Sequence, residues 1–141
     1  MKKAILTFLV IFTSCGLIDS SQSIVGKWKG KNVEDGIMIF KKNGEFDILD
    51  KSGISAFGDK TKISIKYEAI TEVEPNQLYI IFTDENKSHR APLGIFKIEN
   101  RKLILREAIE FHRTVGGFDM GVSRYEMPKD FSGVIKIFEK T

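Results

Sequence analysis

The chain has one cysteine, Cys15, among 141 residues. A lone cysteine cannot build an intramolecular disulfide framework. There are two histidines, His89 and His112, so few side chains titrate near neutral pH and general acid–base chemistry has little to draw on. No HExxH element, glycine-rich phosphate loop or serine nucleophile elbow occurs. Glu110 and His112 share a face if their segment is extended, but two ligands fall short of the three or four that a zinc site uses. Glu107 and Glu110 are too loosely placed to define an acid–base pair. The sequence therefore reads as a non-catalytic protein with no metal and no cofactor. Only three prolines are present, Pro75, Pro92 and Pro128, and all are expected in connections, where no ladder N–H is lost. No apolar run reaches the roughly 20 residues of a membrane-spanning helix.

The longest uncharged run is short and sits at the front. Lys2 and Lys3 precede Ala4 to Thr13 (AILTFLVIFT), a basic n-region followed by an apolar h-region. Thr13 and Ser14 then lead into Cys15. This arrangement resembles the bacterial lipoprotein signal, with Phe12 where that family most often has Leu. The resemblance implies cleavage before Cys15, a thioether-linked diacylglycerol on its sulfur and acylation of the freed amine. At about 0.8 kcal/mol per buried CH₂, several acyl chains make a permanent anchor. Gly16 after the cysteine implies outer-membrane sorting in a cell with two membranes. The expected organisation is a signal peptide over 1–14, a lipidated tether over 15–23 (polar and small from Gly16 to Ser23) and a folded domain over 24–141.

Cleavage before Cys15 removes 14 of the 141 residues and leaves 127, a length that suits one domain. Removing Lys2 and Lys3 from 22 basic side chains leaves 20 against 19 acidic ones. That balance argues against nucleic acid as a partner, because phosphate binding needs a concentrated basic face. Lys27, Lys29 and Lys31 alternate with other residues, as do Lys60 and Lys62. Both groups read as solvated strand faces.

What the chain has in quantity is period-2 patterning. Ile63, Ile65, Tyr67 and Ala69 alternate with Ser64, Lys66 and Glu68, the signature of a half-buried strand. Further strands are expected over 24–31, 36–42, 45–50, 54–57, 78–84, 93–99, 102–109 and 134–140, segments rich in Ile, Phe, Val and Tyr. The 104–113 stretch has some helical periodicity, but its neighbours favour strand. Asn43-Gly44 between two apolar runs predicts a hairpin with a type I′ turn. Asp50 to Gly53, Glu74 to Gln77 and Glu99 to Lys102 predict three more turns. Eight or nine short strands joined by tight turns predict an all-β antiparallel up-and-down meander. Closing it into a small barrel of about eight strands buries one face and removes the edges.

One connection breaks the pattern. From Glu110 to Gly133 no clear strand emerges, and loops of this length are often functional. It carries Phe111, Phe118, Met120, Tyr125, Met127 and Phe131, with Gly116, Gly117 and Gly121 as hinges. These side chains could plug one barrel end, residues 122–127 could add a strand, or the segment could form a lid over a ligand. Phe118, Met120 and Tyr125 are the expected ligand- or partner-binding residues. His89, within Asn86 to Arg90, reads as a solvated loop residue.

Gly26-Lys27-Trp28 on the first strand is the Gly-x-Trp element of lipocalin-like domains. Ile24 to Lys29, Ile39 to Phe46, Leu93 to Ile98 with Leu103 to Leu105, and Val134 to Lys140 together make the chain similar to small bacterial lipocalin-like lipoproteins over most of 24–140. The resemblance implies that Gly26 and Trp28 seal one end of an eight-stranded barrel. It also implies an arginine stacked on Trp28 from near the last strand. That strand offers only Lys136 and Lys140, a departure from the family pattern, so Arg101, Arg106 or Arg124 would have to take the place. The implied function is binding of a small apolar molecule in the open end. The alternative is a protein-interaction module acting as an assembly factor, inhibitor or immunity-type partner in the envelope.

Overall fold

The computed structural model describes residues 23–58 and 63–141. The expected signal peptide, Cys15 and nearly all of the tether lie outside the described residues.

Among the described residues ten strands form, in chain order β1 (Gly26–Gly30), β2 (Ile37–Phe40), β3 (Phe46–Leu49), β4 (Ile63–Ile70), β5 (Asn76–Asp84), β6 (Lys87–Glu99), β7 (Lys102–Glu107), β8 (Ile109–Val115), β9 (Phe118–Glu126) and β10 (Lys136–Lys140). Eight of them make one antiparallel sheet in the order β3-β2-β1-β10-β7-β6-β5-β4. This is the expected meander, with the last strand returning to pair with the first: Trp28 lies opposite Lys140 and Gly30 opposite Phe138. The sheet is nearly closed into a barrel. Its seam, between β3 and β4, is joined at one level by a bridge between Glu45 and Lys66 and a 3.0 Å hydrogen bond from the Tyr67 N–H to the Gly44 carbonyl.

Alternation decides which side chains fill the cylinder. Trp28, Met38, Phe40, Phe46, Ile65, Leu78, Ile80, Phe96, Leu103, Leu105 and Phe138 are buried in one cluster, with Ile24 at its end. The ring of Phe40 lies 4.9 Å from that of Phe46 and 5.0 Å, edge-on, from that of Tyr67. Phe57 reaches in from the connection after β3 to lie 6.1 Å from Phe46 and 5.9 Å from Phe82. Each large apolar side chain fully removed from water contributes about 1.5–3 kcal/mol. The interior is thus filled chiefly by aromatic and branched side chains, a known outcome for a barrel of eight strands.

Several local expectations change. Asn43-Gly44 does turn the chain, but only Gly44 has positive φ (91°). The Gly44 N–H donates to the Lys41 carbonyl and the Lys41 N–H to the Glu45 carbonyl. The loop is therefore longer than a two-residue type I′ turn. Asn100 and Arg101, with φ of 50° and 62°, both have the positive φ that a type I′ turn requires, between the paired Glu99 and Lys102. Residues 54–57 make only one bridge, Ser55 to Leu49, because the chain there turns Phe57 into the core. β6 begins at Lys87 rather than 93, so His89 is a strand residue opposite Phe82, and Pro92 lies inside a strand. Pro92 is tolerated there because the register shifts beside it: Tyr79 pairs with Pro92 and Leu78 with Gly94, leaving Leu93 between them as a bulge.

Candidate functional site: an exposed arm at the far end of the barrel

The barrel has two distinct ends. At one, Ile24 enters, and the Trp28 indole N–H donates to the Ile24 carbonyl at 2.7 Å. The Lys140 ammonium lies 5.3 Å from the Trp28 ring centroid, so a lysine of the last strand, rather than the expected arginine, lies over this ring. Gly26 has φ of 137°, and a Cβ on it would sit 2.9 Å from the Lys140 side chain. Glycine at this position admits both the backbone conformation and the crossing lysine. A small pocket of about 300 Å³ opens at this end, lined by Ser23, Ile24, Ala69, Thr71, Asn76, Phe96 and Ile98.

At the other end the chain leaves the barrel between β7 and β10. Lys136, at the start of β10, holds this exit closed: its ammonium is 2.9 Å from Glu107, at the end of β7, and 3.7 Å from Asp35. Burial lowers the Lys136 pKa, but Glu107 and Asp35 raise it by more, and the net shift is upward. Residues 127–133 fold back along the outer wall. Arg106 donates to the Asp130 carbonyl at 2.6 Å and to its carboxylate at 2.8 Å, and the Lys97 ammonium lies 5.1 Å from the Phe131 ring centroid. Ile95, the cross-strand neighbour of Arg106 on that wall, is fully buried.

Between these anchors, β8 and β9 form a separate two-stranded sheet. The segment expected as a loop is a hairpin, and the extra strand spans 118–126 rather than 122–127. Gly116 and Gly117, with φ of 57° and 83°, make the turn between the paired Val115 and Phe118. The structure contradicts the barrel-end plug for the three expected site residues. Phe118 is 77% exposed, Met120 65% and Tyr125 47%, and every residue of β9 faces solvent. All three share one strand, but pairing puts Phe118 and Tyr125 on different faces, and Met120 lies at a break in register. Ile109, Phe111, Arg113 and Val115 share one face of the ribbon with Phe118 and Arg124, and the Arg124 guanidinium lies 4.2 Å from the Phe111 ring centroid. Glu110, His112 and Thr114 share the other with Tyr125, Val122 and Asp119. Breaks in register beside His112 interrupt the alternation.

His112 is the polar hinge of the second face. Its Nδ1 lies 2.9 Å from Asp119 and its Nε2 3.4 Å from Glu110. Asp119 and, less strongly, Glu110 raise its pKa. The Gly121 N–H, then His112, hold the Asp119 carboxyl below its ordinary value. Glu110 and His112 do share a face, yet the two carboxylates meet opposite nitrogens of the ring and do not converge on one point. Among the described residues no group of three or more His, Cys, Asp or Glu is arranged to hold a metal ion.

A second feature, which the sequence reading did not single out, lies at the seam. A cleft of about 560 Å³ runs between β3 and β4, with Phe46, Ile63 and Ile65 among its apolar lining and Glu45, Asp47, Asp84 and Glu85 among its carboxylates. The signal for it was the connection between β3 and β4, the longest in the barrel besides the arm. No protein-family model matches the chain, and no curated protein or solved structure matches it.

Proposed function

We propose that the chain is a non-catalytic envelope lipoprotein, anchored through acylated Cys15, whose barrel is a rigid mount for an arm that docks another protein. The observation that carries this reading is the β8–β9 hairpin, with Phe118, Met120, Val115 and Tyr125 exposed beyond a filled barrel. Val115 and Phe118 share one face of the ribbon and Tyr125 stands on the other, so it presents apolar surface on both sides, and large exposed apolar surface marks interaction sites in soluble domains. A two-stranded ribbon is also marginal in water on its own and gains stability when a further surface covers it. The described chain begins at Ser23, at the end of the barrel opposite the arm, and in this reading Gly16 directs the anchor to the outer membrane where the cell has one.

The test is cross-linking of the full chain in its own envelope, comparing wild type with Phe118→Ala and Tyr125→Ala. A discrete adduct weakened by both substitutions is expected. Normal adduct yield from both variants would remove the arm as the interface. A second reading, binding of a small apolar molecule, is favoured by the pocket at the Trp28 end, whose lining includes Ile24, Ala69, Phe96 and Ile98. Native mass spectrometry of the purified chain would report a bound molecule, and its loss in Ala69→Trp would locate it.

A further inference from the structure

The tip of the β5–β6 hairpin carries a motif that neither the barrel core nor the arm uses. Five asparagines occur, at 32, 43, 76, 86 and 100, and only Asn86 has a serine or threonine two residues on. Asn86-Lys87-Ser88 is thus the one Asn-x-Ser/Thr acceptor for N-glycosylation in the chain, and its middle residue is not proline. Such an acceptor works on a surface loop of an exported protein. Glu85 and Asn86 are the two turn residues between the paired Asp84 and Lys87, and every residue from Asp84 to Arg90 is exposed.

The fold does not account for an asparagine there. Asparagine serves turns in two ways, by tolerating positive φ and by bonding its side chain to nearby backbone. Asn100 does the first, with φ of 50°, and Asn43 the second, its Oδ1 accepting from the Glu45 N–H at 3.1 Å. Asn86 does neither: its φ is not positive and its carboxamide makes no hydrogen bond. An enzyme can therefore take up that carboxamide without breaking a contact of the fold. Ser88 stands on the paired stem opposite Thr83, and the two hydroxyls are 2.9 Å apart. β5 runs nine residues from Asn76, beside the pocket at the Trp28 end, to Asp84. At about 3.4 Å per residue the tip lies roughly 27 Å from that end. A group attached there projects beyond the barrel and covers none of its core.

We propose that Asn86 is a site of N-linked glycosylation, with a sugar carried on a lipid diphosphate as donor. This rests on the envelope part of the reading above and not on the arm. In the transfer, Asn86 Nδ2 forms a bond to the anomeric carbon of the sugar while that carbon's bond to the diphosphate oxygen breaks. Nδ2 gives up one proton, the lipid diphosphate leaves, and nothing is oxidised or reduced. The transferring enzyme supplies the base. The chain supplies the acceptor amide and the Ser88 hydroxyl that the motif requires.

The experiment is peptide mass spectrometry of the full chain extracted from its own envelope, as wild type, Asn86→Gln, Ser88→Ala and Ser88→Thr. Both positions are exposed, so none of these substitutions touches the core. The wild-type peptide containing Asn86 is expected to gain the mass of at least one sugar residue. Asn86→Gln and Ser88→Ala should each lose that mass entirely, and Ser88→Thr should keep it. A bare Asn86 peptide in the wild type overturns the inference, as does a sugar that persists in Ser88→Ala. The N-terminal peptide in the same spectra separates the two readings. Acylated Cys15 with a bare Asn86 leaves the envelope reading standing and removes the acceptor site alone. Residues 1–14 still attached, with a bare Asn86, remove both.

Discussion

The barrel and the arm are built from similar residues and differ in what those residues touch. In the barrel, Trp28, Phe40 and Phe138 are fully buried and alternate with solvated side chains. In the arm, Phe118, Met120 and Val115 are as apolar but face water. Composition is thus a poor guide to burial here, whereas closure of the sheet is a good one. Eight strands curl until their inner faces meet; two strands have no inner face. The barrel's stability is internal, and the arm has no interior of its own to supply the same.

The sharpest way to break this contrast is to truncate one aromatic in each region. Trp28→Ala removes a fully buried side chain together with its hydrogen bond to the Ile24 carbonyl. A loss of about 3–5 kcal/mol in unfolding free energy is expected by denaturant titration. Phe118→Ala removes a side chain that is mostly in water, and should change the same quantity by no more than about 0.5 kcal/mol. Equal losses would mean that the arm is part of the cooperative core.

The turn of the arm comes next. Alanine at Gly116 or Gly117 meets no atom within 4 Å, so any cost is conformational. Both residues have positive φ, where a Cβ costs about 1–2 kcal/mol. Amide exchange in β8 and β9 should quicken several-fold in either variant while exchange in β5 and β7 holds steady. Lys140→Ala is expected to be milder, about 0.5–1 kcal/mol for the lost contact with Trp28, read by thermal melting together with the tryptophan emission wavelength.

The two regions were unequally legible in the sequence for the same reason that they differ in stability. Ile63 to Ala69, the Gly26-Lys27-Trp28 strand and the 102–109 segment alternate cleanly because one face of each is pressed against the core and the other is wet. Across 109–126 both ribbon faces are wet and both carry apolar residues, Val115 and Phe118 on one and Val122 and Tyr125 on the other. Register breaks beside His112 then spoil what alternation remains. The one sharp signal was Val115-Gly116-Gly117-Phe118, a hairpin turn read as a hinge. Pro92 misled in the opposite direction, since a bulge at Leu93 lets it sit inside β6. Phe118, Met120 and Tyr125 were legible as one cluster, but their shared strand and their exposure follow from pairing across the turn. The cleft depends on two strand edges that fail to meet, and no local pattern in either strand records that.

The smallest expected effect concerns pH, and it separates the regions without altering an apolar contact. His112 binds Asp119 and Glu110 on the arm, which raises its pKa above the ordinary value near 6.5. A histidine whose pKa is raised by folding contributes stability that is fully present below the unfolded pKa. That contribution is lost as pH rises through the folded value. The pairing of β8 with β9 should therefore tighten below about pH 6.5 and loosen as His112 loses its proton. Nuclear magnetic resonance titration of the His112 ring is expected to give a midpoint above that of a free histidine, falling back in Asp119→Asn. The barrel should not follow this transition, because its core cluster contains no ionisable side chain other than the tyrosine Tyr67. Barrel amide shifts moving in step with the His112 midpoint would show that arm and barrel are coupled, and the picture of an independent ribbon on an inert mount would fail.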